Sequence, residues 1–271
     1  MPSLSLTSMK DTKEILSDKE KSKDQKPIAI IKGDETNPAF NSFLTLNIND
    51  KKVKGKRHIY LPEDLMFQIL PSPDPKARDI FYIAGASGSG KSYQAKIIIN
   101  NYKKLFPKRR IYLISKLEED ETLDELKFIE RVDTNEFLEQ EYDINKAEPA
   151  LMVFDDFETL KKPVLDAIMS VVSDIATTGR HFCVSMIYIS HQLSDYKRTR
   201  LILHEATRII IFPQNTSNYI LGYLLKNYTS LDKKVIPTIK KMGRWACVHK
   251  HYPNYVLSQS SGFAGVDDDR D

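Results

Sequence analysis

The chain has 271 residues, of which 41% are hydrophobic and 28% charged, with a net charge of +3 at pH 7. This length and composition allow a large buried core, which excludes a wholly disordered protein. No apolar run reaches about 18 residues and no apolar N-terminal segment precedes a cleavage site, so we expect neither a membrane span nor a secretory signal. The two cysteines exclude a disulfide framework and indicate a reducing compartment.

The N-terminal quarter divides into two predicted segments. Residues 1–26 are rich in Lys, Asp, Glu and Ser, which predicts a disordered tail. Residues 27–75 contain the short apolar segments PIAIIK, SFLTLNI and HIYL between turn residues, which predicts a small β-rich extension. The prolines of PSPDP, at 71–75, predict a domain boundary near residue 76 because proline blocks helix formation.

Residues 76–260 alternate between apolar segments of strand length and longer segments of helical period. The predicted strands are IFYIAG, RIYLIS, KFIERV, ALMVFDD, CVSMIYIS and TRIIIF. Near-continuous apolar strands separated by helices indicate a mostly parallel sheet covered on both faces, hence a three-layer α/β domain. RWACVHKH and NYVLSQ predict a closing hairpin, and residues 261–271 an acidic, solvated tail.

A glycine cluster lies between the first of these strands and a helical segment. The sequence GASGSGKS fits the P-loop pattern G-x-x-x-x-G-K-[ST], in which backbone N–H groups and the helix N-terminus hold the phosphates of a nucleotide. We expect Lys91 to reach the β and γ phosphates of ATP and Ser92 to ligate Mg²⁺. The predicted nucleotide-binding residues are Gly85, Ala86, Ser87, Gly88, Ser89, Gly90, Lys91, Ser92 and Tyr93.

Two carboxylates follow the strand ALMVFDD. Hydrolysis requires one group to hold the metal ion and another to orient the attacking water. Because neighbouring side chains on a strand point in different directions, we expect each acid to serve one of these roles. We assign Asp155 to Mg²⁺ and Asp156 to orienting the attacking water. A third strand, within TTGRHFCVSMIYISHQ, ends in the polar group Ser190, His191 and Gln192, which the carboxyl edge of a parallel sheet would place near the γ-phosphate.

These motifs together resemble a known family. The P-loop, LMVFDD, the GRH turn with a strand ending in SHQ, and HEATRIIIF are similar to the FtsK–HerA superfamily of DNA-pumping ATPases. Within it the chain most resembles the genome-packaging ATPases of large nucleocytoplasmic DNA viruses and virophages. The resemblance covers about residues 76–225 and implies a P-loop NTPase fold of the ASCE/RecA-like type.

The resemblance also implies roles for residues that the P-loop pattern does not cover. Gln192 matches the sensor glutamine, although the sequence SHQ leaves open whether His191 or Gln192 occupies that place. Arg208 lies where the superfamily places an arginine finger that acts on the neighbouring subunit's nucleotide, and Arg180 is the other candidate. The family implies a ring of five or six subunits acting on double-stranded DNA, contact with capsid vertex proteins, and a location in the virion or the host cytoplasm.

Two other functions stay open from the sequence. A small-molecule or nucleoside kinase would need an arginine-rich lid, for which KRTR at 197–200 is the nearest match. A nucleotide-dependent switch or scaffold would bind ATP and turn it over slowly. Charge is unevenly distributed, with 13 acidic and 3 basic residues over 118–148, and 11 basic and 3 acidic over 195–251. Such asymmetry is compatible with a surface that meets a polyanion.

Overall fold

The computed structural model describes residues 2–48, 55–139, 142–193 and 199–265. Within these ranges the strands are β1 Ser3–Thr7, β2 Gln25–Gly33, β3 Phe43–Asn47, β4 His58–Tyr60, β5 Leu65–Ile69, β6 Ile80–Ala84, β7 Arg110–Ser115, β8 Glu130–Val132, β9 Ala150–Asp155, β10 Ser185–Ser190, β11 Arg208–Ile211, β12 Ala246–His249, β13 Tyr255–Ser258 and β14 Ser261–Ala264. The helices there are α1 Met9–Ser17, α2 Lys21–Asp24, α3 Lys91–Leu105, α4 Glu136–Glu139, α5 Lys162–Thr177, α6 Arg200–Glu205, α7 Asn218–Tyr228 and α8 Ile236–Lys241. None of these helices is long and apolar enough to cross a lipid bilayer.

The chain forms two compact units. One is Asp74–Ile210, and the other combines Met1–Pro73 with Ile211–Asp271. The structure therefore divides the chain differently from the sequence prediction, which assigned residues 76–260 to one domain. The predicted boundary near residue 76 lies close to the observed one, whereas the segment after Ile210 groups with the N-terminal residues.

The unit Asp74–Ile210 is built on a parallel sheet. Its strands lie in the order β11-β6-β10-β9-β7-β8, and β10 with β6, β10 with β9, β7 with β9 and β7 with β8 are all parallel pairs. These six strands are the six that the apolar segments predict. Every residue of β6 and of β10 is buried, because side chains on both faces of the sheet are covered. The α/β fold with a mostly parallel sheet is thus confirmed.

The helices of this unit follow from apolar spacing and from start signals. Helix α5 has a proline, Pro163, in its first turn, where the missing N–H costs nothing. Its buried face includes Leu165, Ile168, Val172 and Ile175, which are spaced as one side of a helix. Helix α3 begins directly after Gly90 and packs on β6 and β10, so the glycine cluster lies at the carboxyl end of β6.

The second unit contains more β-structure than the sequence indicates. Strands β1, β3, β2 and β5 form an antiparallel sheet in that order. The prediction of a disordered tail over residues 1–26 is therefore wrong. The segment SLSLT, which is β1, pairs with β3. Leu4 and Ile15 are only 1% and 4% exposed, so these residues bury apolar surface although the segment as a whole is polar.

The C-terminal residues of this unit form the predicted hairpin and one further strand. Strands β12 and β13 pair antiparallel, as predicted, and β13 pairs in turn with β14. Strand β14 occupies Ser261–Ala264, so the predicted acidic tail does not begin at residue 261. The acid-rich segment 266–271 lies outside the described part of the chain.

Candidate functional site

The loop between β6 and α3 has the backbone that its glycines allow. Gly88 has φ 72° and Gly90 has φ 105°, both in the left-handed region that side chains with a Cβ rarely adopt. A Cβ at Gly88 would have nothing within 4 Å, so the backbone conformation, and not space, requires glycine there. The Gly85 N–H donates to the Ser190 carbonyl at 3.2 Å, which ties the loop to the end of β10.

Lys91 lies across this loop. Its Nζ donates to the carbonyls of Gly85 and Ala86 at 3.0 and 3.2 Å, and the residue is only 7% exposed. Burial lowers the pKa of Lys91, and the charges of Asp155, Asp156 and Glu158 oppose that effect. The ammonium is thus held at the loop with several carboxylates nearby, a position from which it can meet the phosphates of a bound nucleotide.

Asp155 is the last residue of β9 and is 4% exposed. Burial raises its pKa to about 7, and the neighbouring charges of Asp156 and Asp120 act in the same direction, while Lys91 and His191 oppose them. A cation bound next to this buried carboxylate would stabilise its ionised form and lower its pKa.

Ser92 is half-buried in the first turn of α3, next to the loop lysine. Carboxylate and hydroxyl oxygens are the hard donors that Mg²⁺ prefers in proteins, together with waters and phosphate oxygens. The donor set of Ser92 and Asp155 therefore fits the ion that the sequence assigned to them.

Asp156 is the first residue after β9. Its φ of 49° places the backbone in the left-handed region, which redirects the chain directly after β9. Its Oδ1 lies 2.5 Å from Nε2 of His191, and its side chain is 32% exposed. The two adjacent acids thus have different surroundings, as expected if one serves the metal and the other a water molecule.

His191, at the end of β10, bridges the loop and the second carboxylate. Its Nδ1 lies 3.4 Å from Nζ of Lys91 while its Nε2 faces Asp156. Gln192 is exposed, and its backbone N–H donates to Ser190 Oγ while its carbonyl accepts from the Tyr82 hydroxyl. Of the two residues that the sequence left open as sensor, the structure places His191 at the loop.

Glu158 is a member of this cluster that the sequence analysis did not single out. Its Oε1 accepts hydrogen bonds from the Tyr188 hydroxyl at 2.9 Å and from Ser190 Oγ at 3.0 Å. These bonds join the turn after β9 to the end of β10. The sequence DDFE shows an acid three residues after Asp155, which could have indicated Glu158. Only the folded chain shows that its hydrogen-bond donors, Tyr188 and Ser190, both belong to β10.

The two candidate finger arginines lie elsewhere. Arg208 begins β11, is 4% exposed, pairs with Asp79 at 3.5 Å and lies over the ring of Phe81 at 5.1 Å. The guanidinium is thus used inside its own unit in the single chain, and the assignment of Arg208 as the finger stays a prediction.

Arg180 is exposed, in a 3₁₀ turn at Gly179–Phe182 just before β10. It therefore lies at the amino end of the parallel strands, at the sheet edge opposite the loop. From there it does not serve the loop of its own chain, and its role towards another subunit stays a prediction.

The remaining predicted positions are mostly accessible. Ala86, Ser87 and Tyr93 are exposed, with Tyr93 at 56%, whereas Ser89 is buried. In the KRTR segment, Lys197 and Arg198 lie outside the described residues. Arg200 begins the short helix α6 and is exposed.

Comparison with known proteins gives one clear sequence relative. No model of a known protein family matches the chain. The uncharacterized protein V3 of Sputnik virophage is 36% identical over 242 residues, which cover 88% of this chain and 95% of that protein.

Solved structures resemble the chain at much lower identity. The genome packaging NTPase B204 of Sulfolobus turreted icosahedral virus 2, in complex with ATP-gammaS, is 16% identical with a TM-score of 0.45 and covers 68% of this chain and 98% of its own. The pCW3 conjugation coupling protein TcpA, as a monomer with ATPgS, is 13% identical with a TM-score of 0.47 and covers 99% of this chain and 86% of its own.

Proposed function

We propose that this chain, which belongs to the same protein family as V3 of Sputnik virophage, is an ATP-hydrolysing motor that translocates double-stranded DNA, with viral genome packaging as its role. The observation that carries the proposal is the convergence of Lys91, Asp155, Asp156 and His191 at the carboxyl edge of a parallel sheet. This arrangement supports phosphoryl transfer to water. The DNA substrate rests on the motif resemblance to the FtsK–HerA superfamily.

In this proposal the loop Gly85–Ser92 binds the triphosphate of ATP through backbone N–H groups and the N-terminus of α3. Lys91 exchanges its bonds to the loop carbonyls for bonds to the phosphates. Asp155 and Ser92 hold Mg²⁺, which neutralises charge on the phosphates when bound. Burial of Asp155 keeps that carboxylate away from bulk water and positions it for the ion.

Asp156 orients the water that attacks the γ-phosphate. In the structure its carboxylate faces His191, so it must turn at least one oxygen from the imidazole to that water. His191 contacts both Asp156 and Lys91, which makes it the residue able to report the state of the phosphates to the catalytic acid. Glu158 fixes the turn that carries Asp156 through its bonds to Tyr188 and Ser190.

Completion of the site requires a cation from a second copy. Arg180 is the exposed candidate for this role, since a planar guanidinium that stays charged matches the charge that develops on the transferred phosphoryl group. We therefore propose a ring of five or six subunits around duplex DNA, docked on capsid vertex proteins. Its place of action would be the viral assembly site in the host cytoplasm or the virion.

Phosphate release from Mg·ATP, measured with and without linear duplex DNA, tests the function. We expect duplex DNA to raise the rate without any small acceptor, and Lys91→Ala to release phosphate at background. Transfer of the γ-phosphate to a nucleoside or other small acceptor would instead identify a kinase. Tight binding of ATP with no turnover in either condition would identify a switch or scaffold.

A further inference from the structure

Helix α7 exposes a face of tyrosine and lysine. Tyr219 and Tyr223 are 83% and 37% exposed, and Lys226 is exposed as well. Their spacing places them in one stripe along the helix, while Leu221 and Leu225 are buried on the other side. The stripe is therefore available to a partner and is not needed for the core.

A groove of about 320 Å³ runs beside this stripe, between α7 and the turn Lys233–Val235. The Cδ and Cε atoms of Lys233 lie 3.5 Å from the position that a Cβ on Gly222 would occupy, so the stem of Lys233 packs closely on the helix at this point. Lys226 of the helix and Lys233 of the turn both line the groove. Two cations from different elements are brought together by packing.

The groove is positively charged. Over 211–265 the sequence has seven Lys and Arg residues and one acid, Asp232. Asp232 Oδ1 accepts a hydrogen bond from the Lys234 N–H at 2.7 Å, so this carboxylate serves as a cap for the turn. In the described part of the chain neither Lys226 nor Lys233 forms an ion pair with a carboxylate.

We propose that this groove binds the sugar–phosphate backbone of duplex DNA, an inference that rests on the proposed function and names the surface through which it acts. Ammonium groups and tyrosine hydroxyls are donors to phosphate oxygens, and such contacts hold the duplex without reading its sequence. Packaging of a whole genome requires this indifference to sequence.

The geometry favours a duplex over a single strand. Single-strand binding relies on a row of aromatic rings on which successive bases stack. Here the Tyr223 ring is engaged edge-on by Tyr228, with centroids 6.3 Å apart and planes at 67°. On this face only the Tyr219 ring is largely exposed, so a row of stacking rings is not present there. The two lysines instead suit the closely spaced phosphates of a duplex.

The test is the Kd of a fluorescein-labelled duplex, measured by anisotropy on the full chain at several salt concentrations and without ATP. The variant Lys226→Gln/Lys233→Gln removes two charges from the groove. Counterion release of about 0.9 per contact predicts about a fivefold weaker Kd for each lysine at about 0.15 M salt, and a salt slope lower by about two. Lys13→Gln/Lys19→Gln, an equal loss of charge at exposed positions of the same unit, should leave both values unchanged.

Fluorescence of Trp245, which is 4% exposed and lies in the same unit, checks that the groove variant is folded. An unchanged Kd and salt slope in the folded groove variant would overturn the inference. So would a loss confined to single-stranded DNA, or a loss of self-association with the duplex Kd unchanged, which would make the groove a contact between copies of the chain. Absence of ATP hydrolysis in the wild-type protein would instead refute the proposed function, because the binding assay does not depend on turnover.

Discussion

Replacement of the buried aspartate at the end of β9 by asparagine tests the electrostatics of the site. Asp155→Asn keeps the shape of the side chain and removes its charge, and Asp155 is 4% exposed with its pKa raised to about 7. We expect the variant to lose Mg²⁺-dependent ATP hydrolysis. We also expect it to be more stable than the wild type when no nucleotide or metal is present, because the buried charge is costly.

The size of this effect follows from the pKa of Asp155. In the unfolded chain the carboxyl loses its proton near 3.8, and in the folded chain it keeps the proton to about 7. Between these values the folded state binds more protons, so wild-type stability falls as pH rises through this window. At about 1.4 kcal/mol for each tenfold change in acid dissociation, the full penalty is about 4 kcal/mol as an upper limit, reached above about pH 7.

The assay is urea denaturation at pH 4, 6 and 8 in the presence of a chelator. Circular dichroism is the suitable signal because it follows the helices and strands of the whole chain, whereas the single tryptophan, Trp245, lies in the unit that does not contain β9. The stabilisation by Asp155→Asn should be below about 1 kcal/mol at pH 4 and approach its maximum at pH 8.

Asp166→Asn, at an exposed aspartate of α5, is the matched control and should show no such trend. A pH-independent difference, or a variant less stable than the wild type at pH 8, would refute the reasoning.

Three further predictions concern the lysine, the catalytic pair and the buried arginine. Lys91→Ala should abolish binding of a fluorescent ATP analogue, and retained binding would show that the loop does not need its ammonium. Asp156→Asn should bind the analogue but release no phosphate; mixing these subunits with Arg180→Ala subunits should restore hydrolysis, and no restoration would exclude Arg180 as the finger. Arg208→Ala leaves Asp79 buried without its guanidinium, so the free energy of unfolding should fall by about 3–5 kcal/mol by denaturation, and an unchanged value would contradict the buried pair.

Most of the parallel-sheet unit was predictable because its signals are local. Six apolar segments correspond to β6 to β11, and the pattern from Gly85 to Ser92 lies between a strand and a helix, as the motif requires. Parallel strands bring their carboxyl ends to one edge, so the sequence also placed Asp155, Asp156 and the end of β10 near that loop. Hydrophobic period and glycine spacing are sufficient for conclusions of this kind.

Other features depend on partners that are distant in sequence. The segment SLSLT forms a strand because it pairs with β3, which is distant in sequence. Arg208 is buried against Asp79 and Phe81, which are also distant in sequence. The location of His191 between Lys91 and Asp156 likewise follows only from the folded structure.

The sequence by itself predicted a phosphate-binding loop and two adjacent acids at the end of another strand of the same parallel sheet, since these predictions need only short-range pattern and strand direction. Only the tertiary structure decided which polar side chains meet at that loop and which arginine is exposed. Burial and ion pairing are set by segments that approach each other in space, and a side chain's neighbours determine whether its charge is available to a ligand or is used within the fold.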